Sequence, residues 1–576
     1  MWKPSFSFKE HSPFKVKSEP QERMIRAIKD ANGKSGLIVA PCGSGKSAVL
    51  LEAAMEAGTM VLIFCYESQG VKQIAKDLRE HTTLMDAQIC LFTGKHKKKL
   101  NSRFCYLVTT YGMFAGPEAR RNAASREVRD FVFNTEWDLV CCDEAHHMGA
   151  DTYQPMIERL KAKRKLGFTA TPYRSELFSA TQGRDTHVEN AFGWFGPVLV
   201  RISWREVEAA GLIAKIGRAR VDIELTAEFR TAYEMAMGSQ KRYIAALNPV
   251  KLSALVAVCA IHGAMNHGGI VFVTHLVTAT VVQRLLQRCF GEGWEVLSGG
   301  SAHGEEATHT ADQNAAIVDR FNDGQLRGLI CTNVAAGAMD IPECAFAVDL
   351  DTDGGRANTE QRHGRVARTP RVHPKPDESA AELLARRLDK QKEAWYYDFV
   401  TCGTEDEAAA ARRHHFFVAE GYGEEIAITT EGLLSDAQTY GATLPYVSLG
   451  EQMVLLKEVL RYNALKGVCA EANVAVAKAK VPHSDEVRRL EEKHALATNA
   501  LMRTKISKDI SKAKKQQQLA TAQAKVVRRQ TINDAPLNQN SYDIFRALRL
   551  SIHVLEEADM LDAAFAPSDD ERGDDE

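Results

Sequence analysis

The chain has no apolar run near the roughly 18–20 residues needed to cross a bilayer. Its opening, Met1-Trp2-Lys3-Pro4-Ser5-Phe6, lacks the apolar core of a secretory signal. No membrane partner is therefore expected. The 12 cysteines are scattered over 576 residues without a CxxC pair, which excludes a disulfide scaffold and gives no zinc signature. An excess of one charge sign is missing as well: 73 Lys and Arg against 75 Asp and Glu leave a formal net of −2. Any nucleic-acid contact must come from local patches. Glycine is nearly absent from about 447–530, which favours long helices there. What is present is ordinary globular composition, 45% hydrophobic and 26% charged, in a length that allows about three to four domains. These features predict an intracellular, reduced, soluble protein.

Short apolar runs alternate with helical stretches twice along the chain. Gly36–Ala40, Met60–Phe64, Phe104–Val108 and Asp138–Cys142 form the first series; Gly269–Val273, Trp294–Leu297, Leu329–Cys331 and Ala345–Val348 form the second. Continuous apolar runs of this length suit strands buried on both faces of a parallel sheet. The prediction is α/β: two tandem units at 19–220 and 221–430, each with a parallel sheet, then a mostly helical extension at 431–567. A basic segment, 1–18, precedes them, and 568–576 reads as an acidic, disordered tail.

The strongest local signal is Ala40-Pro41-Cys42-Gly43-Ser44-Gly45-Lys46-Ser47, between a strand and a helix. Gly43 and Gly45 let the backbone around Ser44 wrap a polyphosphate, with the helix start adding a positive end. Lys46 can neutralise β/γ oxygens, and Ser47 can ligate Mg2+. Asp143-Glu144-Ala145-His146 follows an apolar strand, so Asp143 could hold the same Mg2+ and Glu144 position the attacking water. Thr169 and Thr171, in Gly167–Pro172, could bond to the acidic loop and couple it to the second unit; the hexapeptide reads equally well as a turn. In Gln361-Arg362-His363-Gly364-Arg365-Val366-Ala367-Arg368, Arg365 and Arg368 share a helix face and could reach a γ-phosphate across a cleft; a solvated basic face is the other reading. Asp340 could sit near a nucleotide ribose.

These motifs, in this order, resemble the superfamily 2 helicases and translocases. Val108–Met113, Lys165–Thr171, Gly196–Val198, Trp204-Arg205-Glu206, Gly211–Lys215, Asn248–Lys251, Trp395–Val400 and Glu420-Gly421-Tyr422 are similar to the XPB/Ssl2 (RAD25) branch. The resemblance, over about 15–465, implies two RecA-like lobes with ATP and Mg2+ between them and double-stranded or forked DNA crossing both. It also implies 3′-to-5′ movement in transcription or DNA repair. It implies further that Gln21 contacts the base and that Gln361, Arg365 and Arg368 complete the site from lobe two. Two departures stand out: Gln21 follows Ser18-Glu19-Pro20 without the family's Arg, and Arg174-Ser175-Glu176 replaces Arg-Glu-Asp.

DNA contacts should be to phosphates, which position without reading sequence. Candidates are Lys95 and Lys97 in a lysine run that reads equally as a solvated loop, Thr109, Thr110, Thr274 and Thr332. The basic stretch 501–530 could bind DNA, a protein partner, or only water. Two other functions stay open: an RNA helicase of related architecture, and an ATP-gated DNA-binding assembly subunit without productive movement.

Overall fold

A computed structural model describes residues 6–10, 12–66, 68–94, 106–114, 123–149, 153–170, 193–297, 309–332, 340–351, 356–369, 372, 375, 378–460, 475, 478, 484–487, 489–491, 493–494 and 500–533. Lys95, Lys97, Thr171 and Arg174-Ser175-Glu176 lie outside them. The strands are β1 Gly36–Val39, β2 Val61–Cys65, β3 Ile89–Phe92, β4 Tyr106–Thr110, β5 Glu136–Asp143, β6 Lys161–Thr169 and β7 Val198–Arg201, followed by β8 Lys215–Ile223, β9 Gly268–Val273, β10 Trp294–Leu297, β11 Gly328–Thr332, β12 Cys344–Asp349, β13 Glu393–Thr401 and β14 Glu425–Thr429.

They form two seven-stranded sheets, ordered β3-β4-β2-β5-β6-β1-β7 and β10-β11-β9-β12-β13-β8-β14. All the pairings are parallel. Adding seven to each strand label of the first sheet gives the second, so the chain builds one α/β lobe twice. The expected parallel sheets are present, and β1, β2, β4 and β11 are buried along their whole length, as continuous apolar runs require.

The passage between sheets falls between Arg201 and Lys215, so a division at 220 would cut β8. The alternating pattern alone does not show this, because β8 opens on Lys-Ile-Gly-Arg, a polar start for a strand. Two other segments pack more closely than their composition suggests. In the N-terminal segment, Phe6, Phe8 and Phe14 rest on the first lobe's core, and Phe8 bridges to Thr82. At the other end, Leu433 and Ala437 of the helix Thr430–Thr439, with Met453, Leu456 and Val459 of helical residues 449–460, belong to the second lobe's core. The first part of the expected extension therefore completes lobe two.

Among the described residues no single helix is long and apolar enough to cross a membrane. The most apolar long helix, Pro249–Ala264, is buried inside the second core.

Candidate active site

In a parallel sheet, neighbouring strands end at the same edge. Registers pair Val39 with Thr169 and Phe168 with Asp143, so β1, β6 and β5 deliver the phosphate loop, Thr169 and the acid pair to one edge. At about 4.8 Å per strand, the loop and the acids are two strand spacings apart. Gly43 and Gly45 adopt φ of 83° and 82°, the left-handed region that side chains avoid. A Cβ on Gly45 would also collide with Gln21 Nε2, so Gln21 of the helix Glu19–Asp30 sits against the loop. Its Oε1 accepts from Ser18 N at 2.9 Å and caps its own helix.

The helix Lys46–Ala57 starts directly after Gly45. Lys46 Nζ donates to the carbonyls of Ala40 at 2.8 Å and Pro41 at 3.0 Å. Burial opposes its charge, but Cys42, Glu144, Glu360 and Asp143 together hold its pKa above the ordinary value. Ser44 Oγ is fully buried without a hydrogen-bond partner, while Ser47 is exposed. An orphaned hydroxyl and an inward lysine beside two glycines in the left-handed region fit a polyphosphate.

Glu144 has φ 50°, rare for a side-chain-bearing residue, at the turn that closes β5. Burial and the neighbouring Glu144 push the Asp143 carboxyl up to about 7, with Lys46 pulling the other way. Among the described residues no group of three or more His, Cys, Asp or Glu could hold a metal ion. One carboxylate and one serine suit Mg2+, which takes its remaining ligands from phosphate and water. Thr169 Oγ1 lies 2.9 Å from His146 Nδ1, and Tyr111 Oη donates to the Asp143 carbonyl at 2.6 Å, so the acid turn is fastened from β6 and from the end of β4.

The second lobe's helix Arg356–Val366 faces this edge directly. A Cβ on Gly364 would lie 2.5 Å from Cys42 Cβ. Arg365 is 7% exposed and lies within the fields of Cys42 and Glu144; burial and the like charge of Arg368 lower its pKa to about 10. Arg368 donates to Asp340 Oδ1 at 2.6 Å, so Asp340, expected at a ribose, holds the second arginine. Gln361 is half-buried on the same helix. The helix is anchored by Arg362, 1% exposed, which donates to Asp349 Oδ1 at 2.9 Å. Asp349 also accepts from Tyr396 Oη at 2.9 Å, and Arg413 grips Asp398 through bonds of 3.0 and 2.5 Å. Gly364→Ala should leave both lobes folded but displace this helix; a shift near 1 Å costs turnover about 10²-fold, checked by ATPase kinetics beside thermal unfolding.

Thr109 does not reach a surface. It is fully buried, and its hydroxyl donates at 2.8 Å to the carbonyl of Phe92, its register partner on β3. Thr110 and Thr332 end their strands nearly buried, and the Thr274 amide and hydroxyl are both held by Asp351.

Sequence reasoning gave no role to Glu360, His146 or His363. Glu360 is one residue before Gln361 and loads the field on Lys46. His363 is fully buried against Trp204, Tyr396, Phe417 and Tyr422, with ring centroids 4.6–5.4 Å away. Trp204 follows the last strand of lobe one, so this cluster joins the lobes behind the arginine helix. The sequence signal was the histidine itself inside a run otherwise made for phosphate.

A phosphate loop, an acid pair and a buried arginine meeting between two parallel-sheet α/β lobes define a two-lobed fold of the P-loop class. Comparison with known proteins narrows the class. Residues 15–174 match the family of the type III restriction enzyme res subunit, and 207–488 match the ERCC3/RAD25/XPB C-terminal helicase family. The general transcription and DNA repair factor IIH helicase/translocase subunit XPB of Dictyostelium discoideum is 26% identical over 449 residues, 77% of this chain and 50% of that protein. The XPB/SSL2 subunit of Saccharomyces cerevisiae is 26% identical over 449 residues, 78% of this chain and 48% of that protein. The Pyrococcus furiosus Hef helicase domain superposes with a TM-score of 0.47 at 14% identity, covering 71% of this chain and all of that one. Over most of its described length the chain is thus similar to the XPB/Ssl2 helicase/translocase subunits, with its second half matching their C-terminal helicase family. It spans about half the length of the curated relatives it matches.

Proposed function

We propose that this chain is an ATP-dependent DNA translocase and helicase, moving 3′ to 5′ and opening duplex in transcription or repair. The observation that carries the reading is Arg365 of lobe two buried within the fields of Glu144 and the phosphate loop of lobe one. Gly43 to Ser47 would wrap the phosphates, with Lys46 turning from its own carbonyls to the β/γ oxygens. Gln21 would touch the base. Ser47 and Asp143 would hold Mg2+, which would supply neutralising charge to the phosphates. Glu144 would take the proton as water attacks the γ-phosphorus; the bond to the β–γ bridging oxygen breaks, and its electron pair leaves with ADP. Arg365 and Arg368 would balance the charge that develops on the transferred group. With that group gone, Arg365 would lose its γ-phosphate contact and the lobes could part, with Thr169 and His146 passing the change to β6.

DNA would run along the strand ends of both lobes, touching the Thr110, Thr274 and Thr332 region by its phosphates; Lys95 and Lys97 are further proposed contacts. An assembly like factor IIH, with a nuclear setting in a eukaryotic host, is the proposed context. The experiment is ATPase activity with duplex DNA, single-stranded DNA and RNA, followed by triplex displacement and unwinding from a 3′ overhang. Duplex DNA should stimulate turnover and triplex strands should be displaced, and Lys46→Ala should abolish both. Stimulation by RNA alone would make the chain an RNA helicase. Stimulation without displacement would make it an ATP-gated assembly subunit.

A further inference from the structure

The helix Ala500–Asn533 is 34 residues long and uses one side for packing. Ile506 and Ala513 are buried, Ser507 Oγ lies 3.0 Å from His494 Nε2, Gln517 donates to Ser484 Oγ at 2.6 Å, and Lys514 pairs with Glu491 at 2.8 Å. At about 100° per residue, these positions centre on one face, and Lys505, Lys508, Lys512 and Lys515 fall within an arc of roughly 80° on the opposite face. All four lysines are exposed, and among the described residues none has a carboxylate partner. They extend along about 15 Å of helix.

The arrangement is unfavourable for the helix alone. Successive lysines are three or four residues apart, so each neighbouring pair repels. Asp509 is the only acid in the whole helix, although the chain has 75 acidic residues against 73 basic ones. A polyanion laid along this face removes the repulsion and gains from releasing its own counterions. The helix has no aromatic residue, so the face offers charge without a platform for unstacked bases. That combination suits the backbone of an intact duplex.

We propose that the Lys505-Lys508-Lys512-Lys515 face is a second DNA-backbone site, outside the ATP cleft, that holds duplex without reading its sequence. The choice of DNA as the polyanion rests on the motor reading above. The test is fluorescence anisotropy of a labelled duplex with the full chain, without nucleotide, across a salt series. Changing all four lysines to alanine keeps helix propensity and lies away from the catalytic groups, so circular dichroism and basal ATPase should be unchanged. Affinity at low salt should fall at least tenfold. The slope of log K against log salt should flatten by about 0.9 for each phosphate that the helix no longer neutralises, roughly 3–4 in all. An unchanged slope overturns the proposal, as does a weakening confined to single-stranded DNA. A flattened slope in a chain whose ATPase ignores DNA would sink the motor reading and leave this site standing. DNA-stimulated turnover with an unchanged slope would do the reverse.

Discussion

Alanine in place of Arg365 should lower DNA-stimulated ATP turnover by about 10³–10⁵-fold, the range for an arginine that balances phosphoryl-transfer charge. Arg365 is 7% exposed, and its pKa is lowered to about 10 chiefly by burial, so its charge acts in a poorly screened cleft. The loss should fall on kcat, because Lys46 and the loop amides remain to bind nucleotide. Lysine should restore little, since a point ammonium cannot present the planar fork. Arg368→Ala should cost less: that side chain is partly exposed and pairs with Asp340 at 2.6 Å. Single-turnover hydrolysis at saturating ATP and DNA is the measurement. A drop below tenfold for Arg365→Ala would remove this residue from the reaction and, with it, the argument for a shared cleft.

The second large effect is on stability. Arg362→Ala leaves Asp349 fully buried, with Tyr396 as its near donor and Arg413 Nε 3.9 Å away. Removing one partner of a buried pair costs about 3–5 kcal/mol, because the other charge stays desolvated. That is a large share of the roughly 5–15 kcal/mol that stabilises a typical domain. Exchanging both residues, as Arg362→Met with Asp349→Leu, should cost far less, since no charge is then stranded. Urea unfolding of the three variants decides it. Equal losses for the single and double changes would mean that shape, not charge, anchors the helix. A low-cost double change that still lowers turnover would show that the pair matters for aim more than for folding.

The parts proposed to act on nucleotide were legible because each is a local pattern with a local cause. Gly-x-Gly-Lys-Ser must follow a strand and open a helix, and Asp143-Glu144 must end one; both chemistries sit in a few consecutive residues, and the structure puts them at one sheet edge. The paired apolar runs likewise announced two parallel sheets. What escaped was side-chain direction and distance. Thr109 and Thr110 look equivalent in the chain, yet Thr109 is fully buried and bonded to the Phe92 carbonyl, while Thr110 ends the strand 8% exposed. Asp340 lay upstream of the arginine run, and only the fold shows it bonded to Arg368.

By itself, then, the sequence determined the phosphate-loop conformation and the repeated α/β pattern, because backbone conformation and hydrophobic period are written over a few residues at a time. Tertiary structure decided which lobe-two groups confront the phosphate loop. Gly364 reaches Cys42, and Trp204 reaches His363 and Tyr422, across separations of 322, 159 and 218 residues along the chain. Such contacts depend on how the two sheets are docked, and no local propensity encodes that docking.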